Sequence, residues 1–419
     1  MSDAPVIVAG GGQAGAQAAV SLRQAGFEGR IVLVGDEPSL PYQRPPLSKD
    51  YLAGKLEESG LLLRAEKVYA DQRVELMLGE QITAIDTARR SISLASGGEL
   101  AYSHLVLATG ARNRPLPAPG AELDGVFYLR TLAEARSLRE RLGQTRRAVV
   151  VGGGFIGLEF AAAARAHGIA VSVVEAAARP MSRVLSVQMS SYLAARHDTN
   201  GVPIILNRSV QRFVGENGRL TGVVLDDGTV LEADLAVVGI GVLPNAELAE
   251  AAGLAVKNGV VVDENLLTSD PFISAIGDCA SFPSSFAGGL IRLESVQNAT
   301  DQARCVAARL AGKPTPPYNN VPWFWSEQYD VRLQMAGITS SHDQAVLRGS
   351  PDDNAFSVFC FRDGAFLGAE SVNRTPDHLA VRKLLAAGIA ITPEQAADLS
   401  FDLKLAAAPP AAAAVSAAK

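Results

Sequence analysis

Two stretches of the sequence decide the fold: residues 6–15 read VIVAGGGQAG, and residues 148–157 read AVVVGGGFIG. In each stretch, small apolar residues lead into three glycines, and a further glycine follows after two residues. The apolar run predicts a buried strand, and the G-x-G-x-x-G spacing predicts a sharp turn into a helix whose N-terminus faces a pyrophosphate group. We therefore expect two dinucleotide-binding folds in one chain.

An acidic residue follows the second predicted strand of each fold. Asp36 lies 21 residues beyond Gly15, and Glu175 lies 18 residues beyond Gly157. In this type of fold a carboxylate at that position binds ribose hydroxyls. Glu175 favours NADH over NADPH, because a carboxylate repels a 2′-phosphate, although Arg179 lies close enough in sequence to leave NADPH open.

The two stretches open an internal duplication, and Gly154 lies 142 positions after Gly12. The Pro-rich residues 313–317 are typical of a linker, and alternating strands and helices follow them. We predict an α/β protein with two Rossmann-like domains and a smaller C-terminal α+β domain. The tail 406–419 is almost all Ala and Pro and is expected to be disordered.

Composition excludes several classes of protein. The net charge is −6, from 38 basic and 44 acidic residues, which argues against nucleic acid as the main partner. The three cysteines are far apart and form no C-x-x-C, so neither a disulfide framework nor a cysteine metal site is expected. The apolar residues 148–164 contain three consecutive glycines and Glu159 and do not predict a membrane span. We expect a cytoplasmic protein that binds no metal and no membrane.

Five further motifs carry a resemblance to a known family: PYQRPPLSK at 41–49, ATGA at 108–111, GIGVLPN at 239–245, IGD at 276–278 and WFWS at 323–326. With these the chain resembles, to about residue 404, the FAD/NAD-linked ferredoxin reductases of the putidaredoxin reductase and rubredoxin reductase type. The resemblance implies that the first fold binds FAD and the second binds NADH. The implied domains are 1–114 and 242–318 for FAD, an inserted 115–241 for NADH, and 319–405 at the C-terminus.

The resemblance and the two fingerprints together imply a set of cofactor-binding residues. For FAD these are Gly10, Gly12, Ala14, Gly15, Asp36, Arg44, Lys49, Ile82, Thr109, Gly110, Arg130, Gly277, Asp278 and Val296. For NADH they are Gly152, Gly154, Ile156, Gly157, Glu159, Glu175 and Gly241. From the residues alone, Ile82 is equally a core side chain, Arg130 a surface charge and Asp278 a helix N-cap.

Three residues are predicted to be catalytic: Lys49, Glu159 and Trp325. Glu159 lies in an otherwise apolar stretch, where a carboxylate is costly unless it is paired. The resemblance implies an ion pair between Lys49 and Glu159 where nicotinamide meets flavin; a surface-facing Glu159 is the alternative. It also implies that Trp325 lies near the flavin where electrons leave, whereas most aromatic residues of such a domain, including Trp323, are expected in the core.

The implied reaction is hydride transfer from NADH to FAD, followed by single-electron transfer to a two-iron two-sulfur ferredoxin that serves an oxygenase. We expect a monomer. Ferredoxins are typically acidic, so Arg382, Lys383 and Lys404 are docking residues or else ordinary solvated charges.

Three alternatives differ in their chemistry. A disulfide reductase would need a redox cysteine after the first fold, yet no cysteine precedes Cys279. Another reductase of the same fold, such as a nitrite reductase flavin subunit or a monodehydroascorbate reductase, fits the same motifs. A redox-sensing flavoprotein resembling apoptosis-inducing factor would normally carry targeting segments and a basic surface, whereas this chain is net acidic.

Overall fold

The structure, a computed structural model, describes residues 4–407. These residues form two compact units, the first made of residues 4–180 and 197–320 and the second of residues 181–196 and 321–407. Most of the tail that we predicted to be disordered, 408–419, lies outside the described residues. Ala406, which we assigned to that tail, instead ends the helix Leu403–Ala406, and Ala407 is buried.

A parallel sheet of five strands forms the core of the first dinucleotide fold. Across the sheet its strands are Ile273–Ala275, His104–Leu107, Val6–Ala9, Ile31–Gly35 and Val74–Leu78. The three central strands are buried along their whole length, which explains why their sequences are continuously apolar and do not alternate. The helices Gln13–Gln24 and Val296–Leu310 contact each other beside this sheet.

The second dinucleotide fold repeats this arrangement. Its five parallel strands are Ile204–Leu206, Ala170–Glu175, Arg147–Val151, Leu235–Val238 and Val126–Phe127. It is inserted into the first fold, because its strands lie in sequence between two strands of the first sheet. The two connecting segments, Ala111–Asn113 and Val242–Pro244, pair with each other as antiparallel strands.

Smaller elements complete the first unit. Two three-stranded sheets are antiparallel: one contains Ile82–Asp86, Ser91–Leu94 and Glu99–Ala101, and the other contains Val210–Glu216, Arg219–Leu225 and Val230–Glu232. A third sheet is mixed and contains Val260–Val261, Ala280–Ser284 and Gly289–Ile291. The remaining α-helices are Glu58–Leu61, Glu66–Asp71, Leu132–Leu142, Phe155–Ala166 and Glu247–Ala251. Two short 3₁₀ turns, Pro45–Ser48 and Gly277–Cys279, carry motif residues.

The second unit contains an antiparallel sheet with a helical layer. The strand order is Trp323–Gln328, Val331–Gly337, Ala365–Val372, Ala355–Arg362 and Gln344–Ser350, and a 3₁₀ turn at Pro351–Asp353 joins the last two. The helices Thr375–Ala387, Pro393–Ala397 and Leu403–Ala406 share an apolar core with this sheet. This is the α+β domain that the sequence predicts.

Residues 181–196, which the sequence assigned to the NADH domain, belong to the second unit. The segment contains most of the helix Val187–Thr199. Just before the helix, the backbone N–H and the hydroxyl of Ser186 both donate to the buried carboxylate of Glu370, the hydroxyl at 2.6 Å. A helix N-terminus has N–H groups without intrahelical partners, and a carboxylate satisfies them well. The contact joins residues far apart in sequence, which is why local patterns did not reveal it.

Candidate active site

The first glycine turn, Gly10–Gly15, has two glycines that the protein's own packing requires. Gly10 has a φ of 123°, and a Cβ there would overlap the carbonyl oxygen of Ala108. A Cβ on Gly15 would overlap the carbonyl oxygen of Gly10. By contrast, a Cβ on Gly12 would meet no atom within 4 Å, so packing does not explain this glycine. Close approach of a pyrophosphate does explain it.

The second glycine turn, Gly152–Gly157, shows the same division. Gly152 has a φ of 106°, and Gly157 packs so closely on Gly152 that a Cβ would overlap its carbonyl oxygen. A Cβ on Gly154 would have its nearest neighbour 3.9 Å away. The helices that follow the two turns begin without a side-chain cap, so their first N–H groups remain for an anion. Both turns fit a dinucleotide.

The acids after the second strands are held differently. Asp36 is exposed directly after the strand Ile31–Gly35. Glu175 is half-buried and accepts two hydrogen bonds of 2.7 Å, one from the N–H of Gly153 and one from the N–H of Ala177. A carboxylate has about four acceptor positions, so Glu175 keeps capacity for ribose hydroxyls.

Arg130 and Asp278 meet beside the first glycine turn. Arg130 Nη2 lies 2.6 Å from Asp278 Oδ2, and its Nε donates to the carbonyl of Ala111 at 3.0 Å. Both side chains are largely buried, so Arg130 is not a surface charge. Asp278 lies inside the 3₁₀ turn Gly277–Cys279 and is not an α-helix N-cap. The pair joins the start of the inserted domain to the segment that returns from it.

A second polar cluster surrounds Arg44. Its Nη2 lies 2.7 Å from Glu37 Oε1, and its Nη1 donates to the carbonyl of Arg130 at 2.7 Å. The Tyr42 hydroxyl donates to Glu37 at 2.6 Å. Burial opposes the charge of Arg44, but Tyr42, Glu37 and Asp278 together raise its pKa above the usual value. Arg44 is therefore held as a permanent cation beside Arg130.

Thr109 and Gly110 lie where the two folds connect. The Thr109 hydroxyl donates to the carbonyl of Asn245 at 2.6 Å, and the N–H of Asn245 donates to the carbonyl of Gly110. Gly241, with a φ of 106°, accepts from the N–H of Arg114 at the same connection. These bonds fix the connection, and cofactor contacts by the three predicted residues stay predictions.

The other predicted FAD residues come from separate elements. Ala14 lies in the first turn of its helix and contacts Gly277, where an added Cβ would come within 2.9 Å of the alanine Cβ. Ile82 begins a strand and is buried in the core of the first fold, in line with its core interpretation. Val296 is the first residue of the helix that Ser295 caps. Ile156 lies in the first turn of the second nucleotide helix.

Lys49 and Glu159 form an ion pair, with 3.2 Å between Nζ and Oε1. Glu159 is only 7% exposed, which excludes the surface-facing alternative. The Ser48 hydroxyl donates to the other carboxylate oxygen at 2.8 Å. Lys49 follows the Pro45–Ser48 turn of the first fold, and Glu159 lies on the helix after the second glycine turn. The ion pair thus bridges the two nucleotide-binding folds.

The thiols are not arranged for disulfide chemistry. Cys279 and Cys360 are buried, Cys305 is partly buried, and all three are unpaired. Burial raises the pKa of each thiol and so disfavours a reactive thiolate. Across residues 4–407 there is no His, Cys, Asp and Glu cluster suited to a metal ion. Within the same residues, every helix is too short or too polar to cross a membrane.

The sequence matches the family described as pyridine nucleotide-disulphide oxidoreductase over residues 4–303 and the reductase C-terminal family over residues 323–407. The chain belongs to this family of reductases. It is 54% identical to rhodocoxin reductase of Rhodococcus erythropolis, over 96% of this chain and 94% of that protein.

Solved structures agree with this assignment. The ferredoxin reductase for the CYP199A2 system from Rhodopseudomonas palustris has a TM-score of 0.94 and 54% identity, covering 96% of this chain and all of that one. The reductase in the covalent putidaredoxin reductase–putidaredoxin complex has a TM-score of 0.93 and 41% identity, covering 96% and 98%. The protein is an FAD- and NAD(H)-dependent oxidoreductase of the ferredoxin reductase type, as the sequence motifs predicted.

Trp325 of this reductase lies in the second unit and is half-buried in the strand Trp323–Gln328. The centroid of its ring lies 5.7 Å from the centroid of the Trp323 ring. Its role in electron exit stays a prediction. Among the proposed docking residues, Lys383 and Lys404 are exposed, whereas the guanidinium of Arg382 lies 4.5 Å from the Trp323 ring centroid.

Sequence reasoning missed three residues of the reductase's site. Glu37 holds Arg44, Ser48 holds Glu159, and Gln302 accepts the N–H of Gly277 at 2.7 Å. Gln302 is completely buried, and Gly277 has a φ of 75°, so the amide fixes the turn that carries Asp278. Glu37 and Ser48 adjoin predicted residues, which is a usable signal, whereas nothing in the sequence around Gln302 indicates its contact.

Proposed function

We propose that this reductase transfers electrons from NADH through FAD to a two-iron two-sulfur ferredoxin that serves an oxygenase, and that it acts as a cytoplasmic monomer. The observation that carries the proposal is the buried Lys49–Glu159 bridge between two glycine turns that both fit a dinucleotide. The relatives support the choice of partner: one is a ferredoxin reductase for a CYP system, and another is joined to putidaredoxin.

FAD, when bound, accepts a hydride from NADH and gives up the electrons one at a time. The chain's own residues bind and orient the two cofactors. The first glycine turn and the Arg130–Asp278 pair would hold the FAD phosphates and neighbouring chain, and the second glycine turn would hold the NADH pyrophosphate. The Lys49 ammonium, held by Glu159, supplies a fixed positive charge at the junction of the two folds.

NADH is the proposed electron donor because Glu175 is a fixed carboxylate at the ribose position. Two backbone N–H groups hold it in place and so oppose a rotation that would admit a 2′-phosphate. Arg179 follows Glu175 by four positions and is half-buried. Its presence does not change the fact that a carboxylate occupies position 175. Flavin reduction by NADH is therefore expected to be faster than reduction by NADPH at equal concentration.

Substituting Glu159→Ala tests the role of the bridge. Lys49 then loses its buried partner, and we expect FAD reduction by NADH to slow by about 10–100-fold, as for loss of a hydrogen-bonded charge pair. Rapid-mixing absorbance measures the rate, and its dependence on NADH concentration gives the nicotinamide affinity. Unchanged rate and unchanged affinity would remove the bridge from the mechanism.

The partner assignment is tested with purified iron–sulfur proteins. With NADH in excess, the holoenzyme is expected to reduce a two-iron two-sulfur ferredoxin many times per minute, and a one-iron rubredoxin more slowly. Ferricyanide reduction serves as the control for flavin turnover. Fast ferricyanide reduction without reduction of any ferredoxin would contradict the partner assignment, and slow flavin reduction by NADH would favour a redox sensor. Gel filtration tests the monomer.

A further inference from the structure

Glu159 is a carboxylate buried in an apolar helix. Its neighbours Leu158, Phe160 and Ala161 are each completely buried. A buried carboxylate is destabilised unless partners satisfy both oxygens. Lys49 satisfies Oε1 with its ammonium at 3.2 Å, and Ser48 donates its hydroxyl to Oε2 at 2.8 Å. Two consecutive residues of one segment therefore hold the two oxygens of one carboxylate.

The Ser48 hydroxyl has a second acceptor within reach, the carbonyl of Pro45 at 3.4 Å. The bond to Glu159 is 0.6 Å shorter than this alternative, and a hydrogen bond to an ionised acceptor is about twice as strong as one to a neutral acceptor. Ser48 is 5% exposed, so water does not compete freely for the hydroxyl. The hydroxyl is therefore directed at Glu159.

The segment that contains Ser48 is tied to the Glu159 helix at a second point. His167, which follows the helix Phe155–Ala166, donates from Nε2 to the carbonyl of Leu52 at 3.1 Å. The segment 48–52 thus contacts the helix near its start through Ser48 and Lys49 and at its end through Leu52. Because this helix begins at the second glycine turn, these contacts set the position of that turn relative to the first fold.

We propose that Ser48 is a positioning residue for hydride transfer, acting through Glu159. Its hydroxyl holds one carboxylate oxygen of Glu159 and so fixes the second oxygen against the Lys49 ammonium. The charged group that faces Glu159 from this segment is Lys49, and His167 is the titratable group at the other end of the helix. This inference rests on the proposed function, in which the Lys49–Glu159 bridge orients the nicotinamide.

The test compares Ser48→Ala with the wild type in the FAD-loaded enzyme over a range of pH. Loss of one hydrogen bond to a buried carboxylate favours its protonated form, so the pH at which flavin reduction is half-maximal is expected to rise by about one unit. At neutral pH the reduction rate is expected to fall roughly tenfold. Ser91→Ala, which removes the hydroxyl of a buried serine from a strand of the first fold, is the matched control and should change neither quantity.

Double substitution shows whether Ser48 acts through Glu159. In a Glu159→Gln background the titrating group is gone, and adding Ser48→Ala should produce no further shift of the profile. A pH midpoint that stays in place in Ser48→Ala, or a rate loss that multiplies fully with that of Glu159→Gln, overturns the proposal. If Ser48→Ala does not fold, Ser48→Cys keeps a similar size with a weaker donor and should give the same changes at smaller amplitude.

A measurement of thermal unfolding, which needs no electron transfer, separates this proposal from the proposed function. In the purified full-length protein Ser48→Ala should lower the Tm, and it should no longer do so when Glu159→Leu has removed the acceptor. Equal Tm losses in both backgrounds would overturn the Ser48–Glu159 contact. Failure of NADH to reduce the wild-type flavin would instead overturn the proposed function and leave the Tm result standing.

Discussion

The two glycine turns of this reductase have the same backbone geometry but different surroundings. Gly10 and Gly152 both adopt positive φ, and Gly15 and Gly157 both pack on the first glycine of their own turn. Near the first turn, the Arg130–Asp278 and Arg44–Glu37 ion pairs are both at least two-thirds buried. The residue that we identify near the second turn is Glu175, bonded to backbone N–H groups.

This difference fits a cofactor that stays bound at the first turn and a ligand that is exchanged at the second turn. The charges near the first turn come from distant parts of the chain and are paired with one another in partly buried positions. The second turn presents a pre-formed anion site and one acceptor, which suits a ligand that must leave after each cycle. We expect substitutions in the two turns to have different consequences.

The largest effect is expected from paired glycine substitutions, Gly10→Ala and Gly152→Ala. In each, the Cβ would overlap a backbone carbonyl and the φ would disfavour any L-residue. Gly10→Ala should purify without flavin, whereas Gly152→Ala should remain yellow and fail to be reduced by NADH. The flavin absorbance per protein and its bleaching by NADH measure both results.

Dithionite provides the control, because it reduces bound flavin without the second turn. Gly152→Ala should be bleached by dithionite as completely as the wild type. If both variants lose FAD, or if Gly152→Ala is reduced by NADH at the normal rate, the division of roles between the turns is wrong.

A smaller effect is expected from Glu175→Ala, which removes the acceptor at the second site. Loss of hydrogen bonds to a charged acceptor costs about 1.5–3 kcal/mol, or roughly 10–100-fold in the Kd for NADH. The preference for NADH over NADPH should fall with it, since the repulsive charge is gone. The dependence of the flavin reduction rate on the concentration of each nucleotide measures the Kd for NADH and the preference for NADH over NADPH. Glu216→Ala, which changes an exposed acid of the same domain, should leave them unaltered.

The smallest effect is expected from a substitution of His104, and it concerns the stability of the folded protein at low pH. His104 begins the strand His104–Leu107 of the first fold and pairs with Val6, whereas Leu235 holds the corresponding position in the second fold, where it pairs with Ala148. His104 is buried and bonded to the Ser274 hydroxyl, which also accepts from Arg309. Burial, assisted by Arg309, lowers the pKa of His104 to about 3.

The folded protein therefore requires neutral His104, while the unfolded chain protonates it near pH 6.5. This contribution to stability is complete above pH 6.5 and is lost as the pH falls from there toward 3, by up to ~1.4 kcal/mol per pH unit. His104→Gln, which cannot titrate, should lose less Tm than the wild type between pH 6.5 and pH 4. An equal loss of Tm in both proteins would show that groups other than His104 cause the loss of stability at low pH.

Local sequence patterns predicted the duplicated nucleotide folds well. The strand Val6–Ala9 has the predicted bounds, and Arg147–Val151 differs by one residue, because continuous apolar runs next to glycine turns are strong signals. The family resemblance also implied the Lys49–Glu159 pair, which the structure contains.

Local sequence patterns did not predict contacts between residues that are far apart in the sequence. The bond from Ser186 to Glu370 is one contact between residues 181–196 and the rest of the second unit. A serine before a helix predicts a cap, but it does not show which residue supplies the acceptor. Gln302 is a polar residue in an amphipathic helix, and only the packed structure shows that its amide accepts the N–H of Gly277.

The most direct measurement is an anaerobic titration of the purified protein with NADH, followed by absorbance. The protein should carry flavin as isolated, and stoichiometric NADH should bleach the flavin band, whereas NADPH should do so far more slowly. A protein that contains no flavin and takes none up, or a bound flavin that NADH leaves oxidised, would contradict the proposal that the two glycine turns bring FAD and NADH together.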